Sequence, residues 1–539
     1  MLNCGFRLIS VVGIFIASAS MAQTSLNISP SQNWFHEDAK SQKVNGVSSV
    51  EAYQLLQGKK SKTVIVAVID AGIDINHEDL KDVIWINPKE IAGNGLDDDE
   101  NGFIDDIHGW NFLGGKNGMN VGPENFEVTR EYRRLYEKYE GVKESKKPDY
   151  LYWQEIEKGY LEGLKKAESQ SSYYGQVVNS ILRYEKLLTA YLDVDEITEE
   201  LLLTIESPDE QITYGTKFMA NVLNTVGDGN LSEFLGHWEE AYSHYNNQVE
   251  FGYNLDYQAR EIIGDDPNNL AEVGYGNNDV IGIDTDNFHG TFVAGLIAAK
   301  RDNNIGIDGI ADDVRIMALR AVPDGDEYDK DVANAIRYAV DNGAKIINMS
   351  FGKAYSPNKQ YVDDAIRYAE KHGVLLVHAA GNAGDNIDDV NNYPTKKIGE
   401  EIAANWIEVG ASSWGDDEQL AASFSNYSRK TVDLFAPGVQ IYSTKPGNEY
   451  GESQGTSFSS PVTAGVAALL MSYYPHLSYI DVKDILMKST RKFDGLMVIK
   501  PGTVDEKINF AKLSVSGGIV NAYEAVKLVE SRLLSLSDQ

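Results

Sequence analysis

The chain has 539 residues, enough for one large domain with an elaboration or for two or three ordinary ones, and its apolar fraction of 42% suits a sizeable core. Acidic residues outnumber basic ones by 81 to 48, a net charge of −33 spread along the chain, which argues against a nucleic-acid partner and for a soluble, cation-binding surface. A single cysteine, Cys4, excludes a disulfide framework.

The first segment reads "MLNCGFRLISVVGIFIASASMAQ": Arg7, an apolar run to Ala19, then Ser20-Met21-Ala22. This pattern predicts a signal peptide over 1–22, export to the periplasm, cell surface or medium, and Gln23 as the first mature residue. Cys4 would leave with the signal. No other segment reaches the roughly eighteen apolar residues needed to cross a bilayer, so no membrane span is expected in the mature chain. A polar leader over 23–60 follows.

"KTVIVAVIDAGIDINHEDL" opens with a β-branched run, Val64 to Ile69, that ends in Asp70 and Gly72, as a buried parallel strand with a functional loop at its carboxyl end does. Next, "NGLDDDENGFIDD" sets Asp97, Asp99, Asn101, Gly102 and Asp105 in the D-x-D-x-N-G-x-x-D portion of a calcium loop, with His108 where the twelfth-position Glu would stand. Oxygen ligands at alternate positions around a turning Gly suit a structural calcium ion, although solvated acidic turns read similarly. Residues 126–265 lack strand patterns. "VTREYRRLYEKYEGVK" places Val128, Tyr132, Leu135, Tyr136 and Tyr139 on one face, which predicts an all-helical insertion whose tyrosines form its own core.

After it, His289 begins "HGTFVAGLIAA", a helix of small residues. Short apolar strands then alternate with amphipathic helices: "KDVANAIRYAVDNG", "AKIINMSFG", "QYVDDAIRYAEKHG", "GVLLVHAAGN", "NWIEVGASS" and "TVDLFAPG". Alternation of this kind predicts an α/β fold, a parallel sheet flanked by helices on both faces, assembled from 61–125 and 266–530, with a tail at 531–539. "QGTSFSSPVTAG" sets Ser457, Ser459 and Ser460 before a long apolar run, with Pro461 expected in the first helical turn.

Four residues at strand ends or helix starts stand out: Asp70, His289, Asn382 and Ser457. Singly, each has a structural explanation, since Ser caps helices and Asp caps turns. Together they hold what acyl transfer requires: a hydroxyl nucleophile, an imidazole base, a carboxylate to orient it and an amide donor for the oxyanion. His372 and His378 have no such surroundings and read as structural, as do Ser459 and Ser460.

The chain here resembles the subtilisin-like serine proteases, the subtilase family. "VIVAVIDAGIDINHEDL" is similar to the family's aspartate block, "HGTFVAG" to its histidine block, "NMSFG" to its substrate-binding strand, "HAAGN" to its oxyanion block and "GTSFSSP" to its serine block. The resemblance implies a subtilisin-like fold and a serine endopeptidase in which Asp70 orients the base, His289 is general base and acid, Ser457 is the nucleophile and Asn382 with the Ser457 N–H stabilises the oxyanion. It further implies that Ser350, Phe351 and Gly352, with Gly381 of the oxyanion block, bind a protein or peptide substrate by strand addition. Asp79 and Asn303, the latter in "DNNIGIDG", resemble the family's calcium ligands, with carbonyls from Ile305 and Ile307; no organic cofactor is implied. Phe292, Phe458 and Ser459 depart from the residues frequent in the family at positions that supply no catalytic atoms. About forty leader residues precede the first strand, too few for the usual folded propeptide, so activation by propeptide removal is not expected. The competing expectation is a silent subtilase-fold binding protein whose site is covered by the insertion.

Overall fold

The structure, a computed structural model, describes residues 30–226, 231–283 and 287–537. The expected signal peptide, Cys4 and the first leader residues lie outside them. Among the described residues no helix is long and apolar enough to cross a membrane.

The main sheet takes its strands in chain order as β1 (Val64–Asp70), β2 (Gly109–Asn111), β3 (Val314–Arg320), β4 (Ile346–Met349), β5 (Leu375–Ala379), β6 (Trp406–Ser412), β7 (Leu434–Pro437), β8 (Arg491–Lys492) and β9 (Gly518–Ile519). Across the sheet the order is β8-β9-β7-β6-β5-β4-β1-β3-β2. All neighbours pair in parallel except β8 with β9. Each β1 side chain alternates between faces, as strand geometry dictates: Val64, Val66 and Val68 enter one apolar core, Ala67 and Ile69 the other. On the first face lie the histidine helix (Phe288–Ala298) and the serine helix (Thr456–Tyr473); on the second lie Asp329–Asp341 and Lys359–Lys371. Because β3 and β4 flank β1 on opposite sides, the carboxyl end of β1 is a topological switch point, where open α/β sheets leave a crevice.

Leader residues join this core rather than hanging from it. Trp34, Phe35, Val47 and Leu56 are buried in the first cluster, and the Trp34 indole donates to the Gln440 carbonyl at 3.0 Å.

The insertion is helical from Glu127–Tyr139 through the 43-residue helix Tyr150–Leu192 to Arg260–Ile263. Its exit and return are tied together, since Asn111 and Asn277 exchange backbone hydrogen bonds of 2.9 and 3.1 Å. Tyr132, Tyr139, Trp153 and Tyr160 are buried within it, and Tyr132 stacks on Tyr160 with centroids 4.1 Å apart. Tyr132, Tyr139 and Tyr160 are therefore core, whereas Tyr191 and Tyr214 further along are exposed. The insertion docks through buried ions. Lys353 reaches Glu127 at 2.7 Å and Asp329 at 2.9 Å, Arg130 reaches Glu127 at 2.7 Å, and Arg260 reaches Asp331 at 2.5 Å and Glu124 at 3.2 Å. The Arg130 and Arg260 guanidiniums both lie over the Tyr328 ring, 3.9 and 4.5 Å from its centroid. Burial alone would raise Glu127, but Arg130 and Lys353 outweigh it and hold the carboxyl at about 2. These contacts end beside Gly352, not over Ser457: among the described residues no hydrogen bond, ion pair or ring contact joins 126–265 to Asp70, His289, Asn382 or Ser457.

Candidate active site

Asp70 ends β1 at the switch point and is buried, with 2% of its surface exposed. Its Oδ1 accepts from the Ala71 N–H at 2.8 Å and from His289 Nδ1 at 2.8 Å, although the two residues lie 219 positions apart in sequence. The histidine helix can approach this closely because its third residue is Gly290. A Cβ there would lie 2.1 Å from the Gly72 carbonyl oxygen and 3.1 Å from the Asp70 Cβ. A carboxylate facing Nδ1 fixes the proton on that nitrogen and leaves Nε2 as an acceptor. Burial pulls the imidazole pKa down, but the Asp70 charge and hydrogen bond prevail and raise it above 6.5. The ring is not sealed off, with 32% of its side-chain surface exposed.

Ser457 is the second residue of the serine helix, so its backbone N–H has no intrahelical acceptor. Its hydroxyl donates to the Ser350 carbonyl at 3.3 Å and not to His289. A turn about the Cα–Cβ bond separates this resting rotamer from one facing the imidazole; such catalytic bonds are often unmade without substrate. Gly455, the N-cap, has φ +153°, and a Cβ there would sit 3.4 Å from Asn382 Nδ2. Asn382 Oδ1 accepts from both Thr456 N–H and Thr456 Oγ1 at 2.9 Å, which fixes the amide orientation and leaves Nδ2, on the Gly455 side, without an acceptor among the described residues. Thr456 Oγ1 also accepts from the Gly381 N–H at 3.0 Å. Asp70, His289, Asn382, Gly381 and Ser457 thus meet at one edge of the sheet.

The other two serines face inward. Ser459 donates to the Ala436 and Pro437 carbonyls at 3.0 and 3.1 Å, and Ser460 donates to Asn348 Oδ1 at 2.7 Å; both are fully buried. Pro461 corrects an expectation, for it lies inside the helix and not in the first turn. Lacking an N–H, it leaves the Ser457 carbonyl, four residues back, without its helical donor. That carbonyl accepts instead from Ser350 Oγ at 2.8 Å, and Asn348 Nδ2 donates to the same Ser350 oxygen at 2.9 Å. Pro461 therefore opens a hydrogen bond that ties the serine helix to the segment leaving β4.

The profile described as the subtilase family matches residues 61–511. The chain belongs to the subtilase family, a family of serine-type peptidases. Among relatives, the thermophilic serine proteinase of Bacillus sp. (strain AK1) is 39% identical over 221 residues, 41% of this chain and 50% of that protein. Thermitase of Thermoactinomyces vulgaris is 36% identical over 242 residues, 45% of this chain and 75% of its own. The match thus spans half the length of the first and three quarters of the second. A solved structure of proteases from Pseudoalteromonas arctica aligns at TM-score 0.37 and 28% identity, over 44% of this chain and 70% of that one.

In this subtilase the segment Ser350–Gly352 leaves β4 beside the serine. Phe351 turns its carbonyl inward to His378 Nε2 at 2.8 Å, so Ser350 and Gly352 present their backbone to the opposite side. His378 is structural, as its surroundings in sequence indicate, but not idle. Fully buried, it spans Phe351 and Glu408, whose carboxylate lies 2.9 Å from Nδ1.

Cation-ligand candidates fare unevenly. Asp97 and Asp99 come together with Glu90, one oxygen of each within 4.8 Å of the others, and Glu90 Oε2 is buried without a donor. Sequence reasoning missed Glu90 because it lies outside the loop motif. Asp105, expected in the same set, is not among the carboxylates so gathered. Asp105 accepts from the backbone N–H groups of Gly93, Asn94 and Gly95, and Asn101 Oδ1 accepts from Phe103. At the second expected site Asp79 and Asn303 do meet. Asn303 Nδ2 and the Ile307 N–H donate to the Asp79 carboxylate at 2.6 and 3.0 Å, so Asn303 here offers its amide nitrogen, not its oxygen.

Proposed function

We propose that this subtilase is an exported, calcium-stabilised endopeptidase that hydrolyses peptide bonds through an acyl-enzyme on Ser457. The observation that carries the reading is the 2.8 Å pair of His289 Nδ1 and Asp70 at the sheet edge where Ser457 starts its helix. A peptide adds as a strand along Ser350 and Gly352, with its scissile carbonyl beside Ser457 Oγ. Once rotated off the Ser350 carbonyl, the hydroxyl gives its proton to His289 Nε2 as oxygen attacks carbon, and Asp70 stabilises the resulting imidazolium. Charge on the carbonyl oxygen is met by Asn382 Nδ2 and the Ser457 N–H, near the positive end of the serine helix. His289 returns the proton to the leaving amine. Water then repeats the sequence on the acyl-enzyme.

An active-site fluorophosphonate tests this directly. The intact protein is expected to be labelled and Ser457→Ala not; equal labelling of the two, or none of either, would sink the reading.

Glu90, Asp97 and Asp99 supply hard oxygen ligands, and the donorless Glu90 oxygen is the feature a cation would satisfy. Adding a chelator is therefore expected to lower the thermal midpoint, and an unchanged midpoint removes calcium from the proposal. Export rests on the predicted signal, so amino-terminal sequencing of the mature protein should begin at Gln23.

A further inference from the structure

The substrate-binding segment does not stop at Gly352. Lys353 exchanges both backbone hydrogen bonds with Tyr393, at 2.9 Å each, and Phe351 gives its carbonyl to His378. With Phe351 and Lys353 both turned inward, Ser350 and Gly352 face the other way, up to the bend at Ala354. The Ser350 carbonyl lies 3.3 Å from Ser457 Oγ, which puts the scissile bond at that end. In a peptide paired antiparallel to this edge, the residues before the scissile bond advance towards Ala354. There the edge opens into a groove of about 380 Å³ between the catalytic domain and the insertion.

The groove has one wall from each. Tyr355 and Tyr393 stand on the catalytic side, Tyr152 and Glu155 of the long helix on the other. The Tyr152 and Tyr355 rings meet edge to face at 6.4 Å. Glu131 and Arg134, also in the insertion wall, neutralise each other through two hydrogen bonds of 2.7 and 2.6 Å. Exposed Glu155 makes no hydrogen bond or ion pair with any described residue. After burial, its charge is the next cause raising the Tyr355 hydroxyl. One uncompensated carboxylate among tyrosine faces is a setting for a cation with an apolar stem.

We infer that this groove is an extended substrate subsite, built jointly by the insertion and the substrate segment, for a Lys or Arg side chain roughly four to five residues before the scissile bond. The inference rests on the endopeptidase reading, and it gives the insertion a role in selecting substrates rather than in covering the site.

The test is a set of internally quenched peptides identical around the scissile bond, with Lys, Ala or Glu at the fourth and fifth positions before it. The Lys peptide is expected to show about tenfold higher kcat/KM than the Glu peptide, mainly through KM, the size of a partly exposed ion pair with a cation–π contact. In Glu155→Gln, an exposed position on a helix, that ratio should fall towards one. Equal kcat/KM for all three peptides, or a Lys preference that survives Glu155→Gln, overturns the subsite. Labelled copies of the same peptides bound to Ser457→Ala report the groove without turnover. Lys-selective binding in the absence of any cleavage by the intact protein would therefore keep the subsite and fail the peptidase reading.

Discussion

The support beneath Ser457 and the joint that holds the insertion bury polar groups in opposite ways. Under the serine the network is neutral: Ser460 to Asn348, Asn348 to Ser350, Ser350 to the Ser457 carbonyl, each link 2.7 to 2.9 Å. At the joint it is ionic, with Lys353 and Glu127 exposing only 2% and 4% of their side-chain surface. A neutral hydroxyl–amide chain can be left one link short at modest cost, whereas a buried ion left without its partner cannot. The catalytic edge is thus built to tolerate change in its support, and the insertion is held by an arrangement that functions only when complete.

Lys353→Met should give the largest structural effect. Removing one partner of a buried pair costs about 3–5 kcal/mol, and Asp329 loses its cation while Glu127 keeps only Arg130. Hydrogen exchange is expected to show Glu127–Tyr139 losing protection while the serine helix keeps it. Equal loss in both would erase the contrast between the two regions. Asn382→Ala should instead lower kcat by about 10²–10³, roughly 3–4 kcal/mol of transition-state stabilisation, with little change in thermal midpoint. A drop in midpoint without a drop in kcat would show that the amide serves packing.

Ser460→Ala removes one neutral link and leaves Asn348 Oδ1 without this donor, for about 1–3 kcal/mol of stability, less than Lys353→Met. The reverse order would break the comparison. The smallest effect belongs to the Asp70–His289 pair at the catalytic edge. Because Asp70 raises the His289 pKa above 6.5, the acid limb of kcat/KM should have its midpoint above that value, activity appearing as the ring loses its proton. By the same sign, the pair's contribution to stability is fully present below 6.5 and fades as pH rises through the folded-state value. A midpoint at or below 6.5 would show that burial, not Asp70, dominates.

Much of the site was legible because its chemistry is written locally. Asp70 follows a β-branched run, His289 and Ser457 open helices of small residues, and Asn382 follows a strand, so each residue's place depends on neighbours within a few positions. The alternation of strands and helices similarly dictates the layered sheet. Pro461 was misplaced by a turn because helix starts are set by which N–H groups find acceptors, and here the cap is Gly455, without a side-chain signal. The acidic loop was half legible. Its spacing marked Asp97 and Asp99, but the backbone of Gly93–Gly95 claims Asp105, and Glu90 enters from before the motif.

By itself, the sequence determined the family, the parallel α/β architecture, the four residues of the candidate centre and the aromatic interior of the insertion, since periodicity and short motifs encode these. The tertiary structure alone decided where the insertion sits and what it does there. Lys353 and Glu127 are 226 positions apart, and Tyr152 meets Tyr355 only because two helices and a strand end converge. Contacts of that span leave no trace in local pattern. They are fixed by how the chain closes its loops and by the need of buried charges to find one another.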